Sequence, residues 1–141
     1  MKNIVVEQEN IAKAVVCLVN KYKNLPCRCE YQSLGNKPYN LSLSSLTGAP
    51  KVDEDVTGAY ESEFPFMLYL RTKPEDTADR LDCEQFLNEL AQFLEKNYAK
   101  IKIKDRQITE LEQTATASLF ARTDDGAVDY QVILRLKYET I

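Results

Sequence analysis

A chain of 141 residues is one domain by length and buries roughly 68% of the surface that its unfolded form exposes, so it needs neither disulfides nor a metal to hold a core. Acidic residues outnumber basic ones 22 to 18, for a formal charge of -4, which argues against sequence-independent grip on a phosphate backbone, a mode carried by Lys and Arg. There is no histidine, so Ser-His-Asp and Cys-His constellations cannot be assembled.

The first element is read over residues 9–23, where Ile11, Val15, Leu18, Val19 and Tyr22 form one stripe and Lys13, Asn20 and Lys21 lie off it, the pattern of a helix facing a core. Glu7, Glu9, Asn10 and Lys13 interrupt the same region, so it has neither the apolar run of a signal peptide nor the length of a membrane span. The expectation is a chain made and kept in a cytoplasm, with no membrane partner. Pro26 ends the helix by disfavouring helical backbone at Leu25. "CRCEYQSL" (27–34) reads as extended, Gly35 to Pro38 as a turn, and "YNLSLSSL" (39–46) as a half-buried strand in which Leu41 and Leu43 alternate with Ser42 and Ser44.

The cysteines are Cys17, Cys27, Cys29 and Cys83, expected to be reduced thiols. Cys27 and Cys29 would share a strand face, but zinc asks for four ligands and nothing completes the set, so they read as small apolar packing residues and no metal or cofactor is expected.

"TGAPKVDEDVTGAYE" opens a segment, 47–62, that lacks apolar periodicity and is rich in Gly and acidic residues, and it reads as a long exposed loop with a short extended piece toward its far end. Such loops inside a compact domain are commonly functional, which makes Lys51, Asp53, Glu54 and Asp55 candidate interface residues. A strand follows, with Phe64, Phe66, Leu68 and Leu70 on one face and Pro65, Met67, Tyr69 and Arg71 on the other. After the polar "TKPEDTADRLD", a helix is predicted over 79–98, with Phe86, Leu90, Phe93 and Asn97 in one row and Leu87, Leu94 and Tyr98 beside it. Residues 101–104 read as a short strand with a polar continuation. The chain closes on a hairpin: strand 114–122, a turn containing Asp125-Gly126, and a return strand that lines up Val128, Tyr130, Val132, Leu134, Leu136 and Tyr138 across the core. The whole predicts one α+β domain over 1–141, a mixed, mainly antiparallel β-sheet with two amphipathic helices packed on one face.

Chemistry is hard to find in this pattern. No GxxxxGK[ST] or GxGxxG run occurs, and the acidic pairs Asp53/Asp55 and Asp124/Asp125 sit in a loop and in a turn where Asp is a backbone choice. No catalytic residue is named and the chain reads as a non-enzyme. Among the tyrosines, Tyr22, Tyr98, Tyr130 and Tyr138 fall in core-facing patterns, whereas Tyr31, Tyr39, Tyr60 and Tyr69 fall on turns, the loop or the less buried strand face. Tyrosine is enriched at protein interfaces, so Tyr39, Tyr60 and Tyr69, with Arg71, join the candidate interface; ordinary half-exposed strand tyrosines are the alternative.

A short N-terminal helix, "FPFMLYLRTK" running into "PEDTADRLD" and an amphipathic helix, and the closing "DGAVDYQVILRLKYE" strand together resemble small structural proteins of long-tailed bacteriophages, the minor capsid and tail terminator families. The resemblance spans most of residues 5–140 and rests on element order. It implies a virion subunit, present in the host cytoplasm during assembly, that closes into a ring, a hexamer, at the head-proximal end of the tail. Such a ring stops tube growth and presents a surface to head connector proteins, with self, tail tube and connector as partners and no nucleic acid sequence recognition. The rival reading is a small ligand-binding or adaptor domain acting as a monomer or dimer.

Overall fold

The computed structural model describes residues 4–31, 40–46, 53–54, 60–73, 77–122 and 126–140. In chain order these form α1 (Ile4–Val19), β1 (Cys29–Tyr31), β2 (Asn40–Ser45), β3 (Asp53–Glu54), β4 (Tyr60–Thr72), α2 (Thr77–Asn97), a 3-10 turn (Tyr98–Lys100), β5 (Arg106–Arg122) and β6 (Val128–Thr140). One mixed sheet runs β1-β2-β4-β6-β5, with β3 on the same edge of β4 as β2, further along the strand. Among the described residues β1 and β2 pair in parallel and the other pairings are antiparallel. This is the α+β architecture that the sequence predicts.

Period-two alternation decides which side of the sheet the helices cover. Phe64, Phe66, Leu68 and Leu70 of β4 and Val132, Leu134, Leu136 and Tyr138 of β6 are buried, and they form one core with Ile11, Val15 and Val19 of α1 and Leu87, Leu90, Ala91 and Leu94 of α2. Tyr22 closes the seam between the helices, its ring 5.1 Å from that of Phe93 and 6.2 Å from that of Phe86. Tyr130 and Tyr138 are buried as expected, while Tyr22 and Tyr98 are half-buried at the core's margin. Among the described residues no helix is long and apolar enough to cross a membrane.

Two side chains bolt the helices to the sheet. Asn20, just past α1, accepts a hydrogen bond from the Cys29 N–H at 2.8 Å and donates to the Cys29 carbonyl at 3.2 Å, standing in for a neighbouring strand at the start of β1. Asn88 of α2 uses one oxygen, Oδ1, to accept from the Ala117 N–H at 2.9 Å and from Gln113 Nε2 at 2.8 Å, where β5 is bulged.

Three element bounds differ from expectation. The helix α1 begins at Ile4 and ends at Val19, where residues 9–23 were the predicted span. Strand β4 starts at Tyr60, inside the segment read as loop, because Tyr60 and Glu61 pair with Glu54 and Asp53 and Glu61 also pairs with Glu139. The predicted strand at 101–104 is instead an extended piece bridging Ile103 to Arg106 through a turn at Lys104 and Asp105, the latter at φ 60°; β5 proper runs from Arg106 and absorbs the polar continuation. β5 is an edge strand with one face off the core, so polar residues suit it where a two-sided core strand would exclude them.

Candidate interaction surface

The sheet face away from the helices is where charge and aromatic side chains gather. From β4 it carries Glu63, Pro65, Met67, Tyr69 and Arg71, and from β6 Asp129, Gln131, Ile133, Arg135 and Lys137, which the register sets side by side. Arg71 Nε lies 2.7 Å from Asp129 Oδ1 and Nη2 lies 2.9 Å from Oδ2, a two-bond grip on a carboxylate that is 5% exposed. Arg135 reaches Glu63 on one side at 3.5 Å and Glu112 of β5 on the other, and Lys137 pairs with Glu110 at 3.6 Å. Arg135 Nε and Gln131 Oε1 are buried and have no hydrogen-bond partner among the described residues.

Between these ion pairs lies an aromatic patch. The Tyr69 ring sits 5.5 Å from that of Phe120 at an interplanar angle of 48°, the two reaching toward each other across β6. Phe120 remains 49% exposed, and its neighbour Leu119, in register with the core residue Tyr130 and so not part of this patch, is 41% exposed. The charged groups around the patch are occupied with one another.

The opposite end of the sheet holds a second feature. An open cleft of about 560 Å3 lies where the 3-10 turn meets β5, lined by Ile101, Ile103 and Ile108 together with Lys102, Lys104 and Arg106. Arg106 is buried; its Nη1 donates to the Asp105 carbonyl at 2.8 Å and its guanidinium stands 5.9 Å from the Tyr60 ring centroid. Lys102 and Lys104 are exposed and make no ion pair among the described residues.

Of the residues singled out from sequence, Tyr69 and Arg71 share the open sheet face, and Tyr60 is placed at the far end of β4, under Arg106. Asp53 and Glu54 form β3 beside it. Tyr39, Lys51 and Asp55 lie outside the described residues. Phe120, Leu119 and the cleft went unmarked in sequence. Phe120 lies in "ASLFAR", where a bulge at Leu119/Ala121 shifts the inside-outside alternation, and no period-two reading can locate such a shift.

Cys29 is buried and free, and burial, with the neighbouring Cys27 thiol and Glu30 carboxylate, pushes its thiol up to about 12. Cys27 is raised as well, through burial. Both shifts favour the protonated thiol over the thiolate that a metal would bind.

No family model matches the chain, and no curated protein matches it. A solved structure does. A chain from the virion of a native gene transfer agent particle superposes with a TM-score of 0.56, at 14% sequence identity, over 96% of this chain and 91% of that one. The likeness is one of fold, and it leaves almost no part of either chain unmatched.

Proposed function

We propose that this protein is a structural subunit of a phage-type particle, a tail terminator or head-tail joining protein that closes into a ring at the head-proximal end of a tail. The observation that carries the reading is the fold match to a chain of a gene transfer agent virion, which covers 96% of this chain and 91% of that one. The open sheet face supports it. Its charged groups are spent on cross-strand ion pairs, which stiffen a subunit, while Tyr69 and Phe120 leave an aromatic patch for a neighbour.

On this reading the protein is not an enzyme and its place is the virion. Its partners are copies of itself, six to a ring as in the families it resembles, together with tail tube and head connector proteins. Asp53, Glu54, Tyr60, Tyr69 and Arg71, with Lys51, Asp55 and Tyr39, belong to the contact surfaces. A closed ring requires head-to-tail contacts whose rotation closes.

The test is direct. Particles purified from a lysate are analysed by mass spectrometry and electron microscopy with a labelled antibody. The protein is expected in intact particles, in a fixed small copy number, at the head-tail junction; its absence from particles that are otherwise complete would end the structural-virion reading.

A further inference from the structure

We infer that the basic cleft is the acceptor in contacts between copies of this chain, and that its occupant is the N-terminal part of helix α2 of the adjacent copy, centred on Leu81. The inference rests on the ring reading above and names the two surfaces that would make the ring.

The acceptor combines apolar and cationic side chains. Ile101, Ile103 and Ile108 line the cleft beside Lys102, Lys104 and Arg106, in a chain whose formal charge is -4. The two lysines are exposed and without ion pairs among the described residues, whereas the cations of the open sheet face, Arg71, Arg135 and Lys137, are each matched to a carboxylate. Part of this lining is also fixed in place. Arg106 is held by the Asp105 carbonyl and lies against Tyr60, and the Ile103-Arg106 bridge closes the turn that forms one wall.

The occupant has the opposite character. Leu81 is 61% exposed, the most exposed large apolar side chain among the described residues. A lone exposed leucine is ordinary, and what gives this one weight is its setting. Asp82 is its exposed neighbour in sequence, and Glu84 lies one turn on, adjacent on the helix surface; neither makes an ion pair among the described residues. An apolar knob with two carboxylates near it thus meets a cleft lined by isoleucines beside two ammonium groups. A cleft of about 560 Å3 has ample room for a leucine side chain and the helix surface around it.

Position decides that the two belong to different copies. Leu81 stands near the start of α2 and the cleft begins just past its end, so about sixteen helical residues, roughly 24 Å at 1.5 Å per residue, separate them. Knob and cleft sit at opposite ends of α2 and are different surfaces, so the knob of one copy can enter the cleft of the next, the head-to-tail arrangement that repeats around a ring.

The experiment uses the full chain in three forms: Lys102→Glu with Lys104→Glu, Asp82→Lys with Glu84→Lys, and the chain carrying all four changes. Circular dichroism confirms folding, since Asp82, Lys102 and Lys104 are exposed and Glu84 is half-buried. Association is read by sedimentation velocity across concentration at low and at high salt, and by copy number per particle after complementation. Each reversed pair is expected to weaken association, or to reduce incorporation, at least tenfold, and the four-fold variant to recover most of the loss. Leu81→Ser should weaken association without altering its salt dependence. If the reversed variants associate and incorporate as the unaltered protein does, the inference is wrong while the ring stands. If the unaltered protein neither self-associates at any concentration nor enters particles, both fall.

Discussion

Arg71 of β4 grips the carboxylate of Asp129 in β6 with two bonds, of 2.7 and 2.9 Å, and the register places the two residues directly opposite each other. The pair sits at the end of the strands where β4 leaves the sheet, and Asp129 is 3% exposed. Burial takes the Asp129 carboxylate out of water, and the guanidinium beside it supplies the compensating contact.

Arg71→Ala is therefore expected to destabilise the fold by about 3 kcal/mol, most of it the cost of an uncompensated buried carboxylate. Replacing both partners, Arg71→Met with Asp129→Leu, should recover most of that loss. Urea denaturation of the three proteins checks this. Were the single and double variants equally unstable, Arg71 would be acting through its packing, and the ion pair would be incidental.

Asn88 offers a second measure of how the layers are joined. Its Oδ1 accepts both the Ala117 N–H and the Gln113 amide, so Asn88→Leu leaves a backbone donor of a buried residue without its acceptor. The expected cost is about 1–3 kcal/mol. Hydrogen exchange supplies the specific readout: the Ala117 amide should lose protection, while the amides of β6 keep theirs. Uniform loss across the sheet would point to a global role for the residue.

How much of this was legible from sequence follows from which signals are local. Leu68 and Leu70 of β4, and Val132, Leu134 and Leu136 of β6, announce their face through strict alternation, and the structure buries them all. The stripe Ile11, Val15, Val19 does the same for α1. β5 defeats the method, because bulges at four places along its pairing with β6 shift the register each time, and "IKIKDRQI" reads as a strand when its middle is a turn held by Asp105 at positive φ. The site was legible only in part. Tyr69 and Arg71 could be marked as lying on the less apolar strand face, but their partners Phe120 and Asp129 are 51 and 58 residues away, and only the sheet's pairing order brings them together.

The thiols should respond to alkali in a defined direction. Cys29 is held protonated in the fold, with its pKa pushed up to about 12 from an ordinary 9.0, so the unfolded chain releases its proton first. Its contribution to stability is complete below pH 9 and is lost as the pH rises from there toward 12. Cys29→Ala should flatten that alkaline limb. At neutral pH a thiol reagent should modify the exposed Cys17 readily and reach Cys29 only on unfolding. Cys27→Ser with Cys29→Ser should cost about 1–2 kcal/mol and leave assembly intact. Rapid labelling of Cys29 in the native protein, or stoichiometric zinc in protein purified without added metal, would contradict this.

The segment between β2 and β4 carries the last prediction. Its sequence opposes regular structure, and Asp53, Glu54 and Asp55 bring three like charges together. Such a stretch between two well-paired strands invites a partner, although loops also lengthen at little cost in stability, which makes a tolerated insertion the competing explanation. The structure sets where a replacement must stop. Tyr60 opens β4, its N–H donates to Thr140 Oγ1 at 3.0 Å and its ring lies under Arg106, so it has to be spared. Exchanging residues 49–59 for a short Gly/Ser linker removes, among the described residues, the two-residue β3 from the sheet, and the thermal midpoint should fall by no more than about 4 °C, the shift expected from a loss near 1 kcal/mol. Ring assembly or head-tail joining should be abolished all the same. Full complementation of a null mutant by the shortened protein would mean that the segment is not an interface, and the contacts would then rest on the basic cleft with Leu81 and on Tyr69 and Phe120 of the open sheet face.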